Sequence, residues 1–133
     1  MIRAGERGAD RSPTPGMERM AGIADVTCGA QRLWMGYVTV SPATESGAHH
    51  HGSNESGIFI IKGRARFYFG DHLEHTLDAG PGDFVHVPPR IVHVEANLSP
   101  DEAVEMIVAR DSQEGTTVNV EVQRDDFKRR MWR

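Results

Sequence analysis

The sequence predicts an all-β barrel or sandwich built as one domain, and three observations carry that prediction. Apolar, β-branched segments recur about every 8–12 residues with Gly, Pro, Asn or Asp between them, the spacing of antiparallel sandwiches and barrels. Helical periodicity is weak everywhere except over 124–132. The chain has 133 residues, which suits a single core that buries roughly two thirds of the unfolded surface.

Taken in order, residues 1–16 hold three Arg, two Pro and three Gly with almost no apolar side chains. Such a composition does not repay the entropy of ordering, so a mobile arm, or one that orders on a neighbouring subunit, is expected there. Leu33 to Val40 is rich in β formers and bounded by Pro42, which makes it the first predicted strand. Ile58 to Lys62 and Arg64 to Phe69, joined at Gly63 and closed by Gly70-Asp71, form a predicted hairpin. Further strands are expected at Leu73 to Leu77, Phe84 to Val87, Ile91 to Ala96, Ala103 to Ala109 and Thr116 to Val122. The expected layout is therefore an arm at 1–16, a barrel at 17–123 and a short basic tail at 124–133.

Composition narrows the function classes. Net charge is −4 and the cations are scattered, apart from the cluster Lys128 to Arg133, which reads as a solvated tail. With no electrostatic footprint for it, no nucleic-acid partner is expected. A single cysteine, Cys28, excludes an intramolecular disulfide and makes a cytoplasmic location the default expectation. No apolar run approaches the ~18 residues that span a bilayer, so no membrane association is expected.

Chemistry concentrates in His49-His50-His51-Gly52-Ser53-Asn54-Glu55, three imidazoles and a carboxylate within seven residues. In an extended segment i and i+2 share a face, so His49 and His51 can converge on one ion while His50 points away. Glu55 has the same nominal parity, although Gly52-Ser53-Asn54 bends the chain before it. A fourth imidazole, His93, opens a strand after Pro88-Pro89. On its own, a His-rich loop is as readily a plain polar loop as a metal site. His86, between Val85 and Val87, reads mainly as a hydrogen-bonded strand histidine, with an acid/base role as the minority reading.

These two segments resemble the two motifs of the cupin superfamily. His-x-His, a Glu and a following Gly correspond to His49, His51, Glu55 and Gly63. The second motif runs Gly, five residues, Pro-x-Gly, two residues, His, three residues, Asn, and corresponds to Gly82, Pro88, His93 and Asn97. The sequence departs from the pattern twice: Glu55 to Gly63 is one residue longer than usual, and Arg90 replaces the middle Gly. The resemblance implies a double-stranded β-helix, or jelly roll, and one divalent transition metal (Fe, Mn, Ni, Co or Zn) on His49, His51, His93 and Glu55.

The resemblance also implies a small-molecule substrate and a homodimer. Dioxygenase-type chemistry is slightly favoured, because a three-His or three-His-one-Glu site with vacant positions suits iron and oxygen. Isomerase, lyase and cyclase reactions follow closely, and a non-catalytic metal- and ligand-binding module is the reading from a different class. Candidate catalytic groups are Glu55, His86 and Tyr37. Candidate substrate contacts are Arg90, as an anchor for an anionic group, with Phe59 and Trp34 as aromatic lining.

Overall fold

The computed structural model describes residues 1–9, 14, 16–113 and 117–123, and its architecture is two facing antiparallel sheets. In chain order the strands are β1 (Gly8–Ala9), β2 (Met17–Ile23), β3 (Trp34–Val40), β4 (Thr44–Glu45), β5 (His49–His50), β6 (Ser56–Lys62), β7 (Ala65–Phe69), β8 (His75–Ala79), β9 (Phe84–Val87), β10 (His93–Asn97), β11 (Val104–Arg110) and β12 (Val118–Asn119). One α-helical turn, α1 (Asp25–Cys28), sits between β2 and β3. The first sheet runs β1-β2-β3-β11-β6-β9 and the second β12-β5-β10-β7-β8, with β4 also paired to β10. This is an all-β architecture, as the strand spacing predicts, and the jelly roll that the cupin resemblance implies.

Period-two alternation decides which side chains form the core. On β3 the residues Trp34, Gly36, Val38 and Val40 are buried while those between them are half-buried, and β11 repeats the pattern with Val104, Met106, Val108 and Arg110. These two strands, with Ile58 and Ile60 of β6 and Phe67 of β7, build the main core between the sheets. A smaller cluster of Tyr68, Leu73, Val94 and Ala96 covers the opposite face of the second sheet. Gly63 turns the chain from β6 to β7 at φ +83°, where a Cβ would lie 2.8 Å from the Ala103 carbonyl oxygen. Only glycine meets both demands without strain.

Two differences from the sequence reading stand out. Strand β2 carries Glu, Arg, Met, Ala and Gly, weak β formers, yet it pairs with β3 from Met17↔Val40 to Ile23↔Met35. The ready edge of β3 overrides local propensity. Residues 1–9, expected within a mobile arm, lie on the barrel: Gly8 and Ala9 pair with Ala21 and Met20, and the Arg7 guanidinium stands over the Tyr37 ring at 5.2 Å. Backbone pairing and this cation–π contact supply what the sparse apolar side chains do not. Residues 10–13, 15 and 114–116, and the basic tail 124–133, lie outside the described residues.

Candidate metal centre

His49 on β5 and His93 on β10 are direct cross-strand partners, and His51 follows His49 with the same parity. The three rings converge inside the barrel, with centroids 4.3 Å apart for His49 and His93, 5.0 Å for His49 and His51, and 5.3 Å for His51 and His93. Their ligand atoms all lie within 4.8 Å of one another. His50 faces away, its Nδ1 accepting a hydrogen bond from the Gly52 N–H at 3.0 Å.

Hydrogen bonding fixes the tautomers. His49 Nδ1–H donates to the Gly47 carbonyl at 2.8 Å, and His93 Nδ1–H donates to the Ile91 carbonyl at 2.9 Å. Each Nε2 lone pair is thereby aimed into the interior, and both Nε2 atoms are buried without a hydrogen-bond partner. Backbone carbonyls behind inward-aimed, unpartnered imidazole nitrogens are the surroundings of metal-ligating histidine. Burial pushes the His49 imidazole down to about 4, and burial with the Arg110 charge next in size pushes His51 down to about 2. Both rings are neutral near pH 7, the state that ligates a cation.

The carboxylate beside this trio is not the expected one. Glu55 is a surface residue whose Oε1 lies 2.7 Å from His86 Nε2, with both side chains more than half exposed. Strand β6 begins at Ser56, and Ser56 takes the inward position. The additional residue between Glu55 and Gly63 shifts the glutamate by one, which in a strand moves a side chain to the other face. Among the described residues Glu95 of β10 is the buried carboxylate, 3% exposed, with Oε2 3.7 Å from His49 Nε2 and Oε1 4.0 Å from His93 Nε2. Its signal in the sequence is parity: Glu95 stands two residues beyond His93 on one predicted strand and so shares its face.

The other candidates divide between interior and surface. Trp34 is buried and carries the Arg110 guanidinium over its ring at 4.3 Å. Tyr37 lies on the outer face of the first sheet, where its hydroxyl donates to Glu105 Oε1 at 2.7 Å, a bond that raises its pKa. Phe59 also faces outward, packed on Phe84 with ring centroids 4.8 Å apart. Arg90 is exposed in a loop, and its backbone N–H donates to the Gly52 carbonyl at 2.8 Å. Tyr37, Phe59 and Arg90 therefore stand away from the imidazoles, because strand parity or the loop directs them outward. Sequence reading misses two interior cations, Arg19 and Arg110, buried at 6% and 2% exposure on β2 and β11. Alternation offers a signal for Arg110 alone, which continues the inward series Val104, Met106 and Val108. Arg19 gives none, because β2 is not recognisable as a strand from its own residues.

A cavity of about 240 Å³ adjoins His93 and is walled by Phe67, Phe69, Leu77, Val85, Val87 and Ile91, with His86 also at its lining. Its surface is almost wholly apolar apart from the two imidazoles. No helix among the described residues is long and apolar enough to cross a membrane.

Two facing antiparallel sheets around a converging histidine trio define the class: a jelly-roll barrel with a candidate metal centre. The sequence profile of the Cupin domain matches residues 36–110, and the chain belongs to the cupin family. The polyketide cyclase RemF from Streptomyces resistomycificus superposes with a TM-score of 0.73 at 20% identity, covering 98% of this chain and 92% of that one. A double-stranded β-helix protein from Klebsiella pneumoniae gives 0.68 at 16% identity, covering 91% and 96%. An oxalate decarboxylase variant from Bacillus subtilis gives 0.72 at 19% identity, where the match covers 89% of this chain and 31% of the longer protein. At such identities the likeness is one of fold. No curated protein sequence matches the chain.

Proposed function

We propose that this protein is a metal-dependent enzyme that binds a small, oxygenated, largely apolar organic molecule and moves a proton on it, as a cyclase or isomerase does. The observation that carries the reading is the apolar cavity with a trio histidine, His93, on one part of its wall and His86 on another. Burial of alkyl or aromatic surface against Phe67, Phe69 and Ile91 holds the substrate and excludes water, at roughly 25 cal/mol per Å² of apolar area covered. His49, His51 and His93 would hold a divalent cation, which would supply Lewis acidity toward a carbonyl or enol oxygen.

The proton is assigned to His86. With its Nε2–H held by Glu55 at 2.7 Å, its Nδ1 is the free acceptor, and Glu55 offsets the imidazolium charge that forms when a proton arrives. The similarity in fold to a polyketide cyclase over nearly the whole of both chains supports this class.

A second reading, dioxygenation or decarboxylation of a small acid, draws on the buried guanidiniums of Arg19 and Arg110, whose charges act on the histidines. The two are separated by incubating the metal-loaded protein with alkyl- or aryl-substituted 1,3-diketones and following both C–H exchange with solvent deuterium and oxygen uptake. Metal-dependent exchange that falls about 100-fold in His86→Ala supports the proton-transfer reading. Oxygen uptake without exchange favours dioxygenation. If these chelators leave the spectrum of the bound metal untouched, the open coordination position is absent and a non-catalytic metal module is the better description.

A further inference from the structure

We propose that Glu95 is a fourth protein ligand, so that the centre is a three-His-one-Glu site whose carboxylate comes from β10 and not from the segment before β6. The inference rests on the metal-dependent reading above and specifies its ligand set.

Ligand atoms bonded at about 2.1 Å to one ion stand roughly 3.0–4.2 Å apart, from cis to trans. Glu95 meets this range with a different oxygen toward each partner, Oε2 at 3.7 Å from His49 Nε2 and Oε1 at 4.0 Å from His93 Nε2. Neither separation is a hydrogen bond, for which about 3.2 Å is the limit. Glu95 Oε2, His49 Nε2 and His93 Nε2 are all buried without hydrogen-bond partners, so three orphaned atoms face one region. Leaving a carboxylate oxygen buried and unpaired is costly, and a shared cation removes that cost for all three atoms at once.

The backbone holds Glu95 in this position from one side. Its carbonyl accepts from the Ser46 N–H at 2.8 Å and its own N–H donates to Ser46 Oγ at 3.0 Å. On the other side its strand partner is Phe67, an apolar wall whose side chain offers no donor. Parity then places Glu95 on the same face as His93, as His49 and His51 share a face on the neighbouring segment. Glu55 is engaged with His86 at the surface and is not needed to complete the set.

The test uses the full chain, stripped of metal and titrated with Co(II), whose visible bands report the atoms bonded to it. Glu95→Gln keeps the shape and removes the charge and the anionic oxygen; it is expected to weaken Co(II) binding about 100-fold or more and to change the bands, whereas Glu55→Gln matches wild type in both. Glu95→Asp, which keeps a carboxylate on a shorter stem, is expected to recover part of the affinity and serves if the glutamine variant does not fold. Wild-type affinity in Glu95→Gln, or weaker binding with unchanged bands, overturns the ligand assignment. Wild-type protein that takes up no Co(II) overturns the metal-dependent reading itself, a result distinct from the other two.

Discussion

His93 and His49 face each other across β10 and β5, each with its Nδ1–H on a backbone carbonyl and its Nε2 turned inward. Two strands, not one loop, thus set the geometry of the centre. Replacing either by Ala, or replacing His51, is expected to lower bound metal to well under one equivalent after dialysis, because each change removes a metal–nitrogen bond. Elemental analysis of each purified variant is the measurement, and full occupancy in any one removes that residue from the centre.

The depressed pKa values of His49 and His51 make a prediction for the metal-free protein. Both rings are held neutral by burial, at about 4 and about 2, below the ~6.5 of an unfolded-chain histidine. Between about pH 6.5 and 4 the unfolded state therefore binds protons that the folded state does not, and stability falls as pH falls. The slope is about 1.4 kcal/mol per pH unit for each histidine involved. Urea unfolding at pH 7, 6 and 5 in the presence of a chelator measures it; stability that is flat across this range would show that the imidazoles are not held neutral.

Metal adds a second effect with its own pH limit. A cation that binds only the folded state stabilises it by mass action, about 2.7 kcal/mol at a hundredfold excess over Kd. Protons compete for the same nitrogens, but burial lets them reach His49 only as pH approaches about 4. The rise in thermal midpoint on adding metal should therefore persist through the neutral range and fall away toward pH 4. Equal midpoints with and without metal at pH 7.5 would contradict binding to the trio.

Much of this is legible in the sequence because it depends on short-range rules. Strand β3, the hairpin about Gly63, the span Phe84–Val87 and the trio His49, His51 and His93 all follow from alternation, turn residues and spacing. Glu55 departs from its motif position for a reason also written in the sequence: the longer interval to Gly63 changes its face, and parity outranks motif position. Strand β2 and its buried Arg19 are not legible, since their conformation comes from pairing with β3 and not from their own propensities. Tyr37 and Phe59 fall outside the site because alternation groups residues by face without saying which face is inward.

Gly36 is a sensitive point of β3. A Cβ there would fall 2.3 Å from the Trp34 ring and 2.9 Å from the Met20 carbonyl oxygen. The indole occupies the space that Gly36 leaves, and Arg110 lies over it. Gly36→Ala is expected to cost about 1–3 kcal/mol, the usual penalty of overpacking, and to disturb the Trp34–Arg110 stack. Chemical denaturation and tryptophan fluorescence check the two effects separately, and a neutral substitution would mean that the indole has room to move.

Arg90 occupies the slot where the family pattern has glycine, and its φ of +61° explains the pattern: this position is left-handed. A non-glycine residue in that region is strained by roughly 1–2 kcal/mol, while glycine loses about 0.5–1 kcal/mol more conformational entropy on folding. Arg90→Gly is therefore expected to raise stability by about 0.5–1 kcal/mol, the difference between those two effects. Because the side chain is exposed and the N–H bond to the Gly52 carbonyl survives the change, metal content should be unaltered. A stability loss, or weaker binding of an anionic substrate analogue to the variant, would show that the guanidinium has a role beyond filling a strained turn.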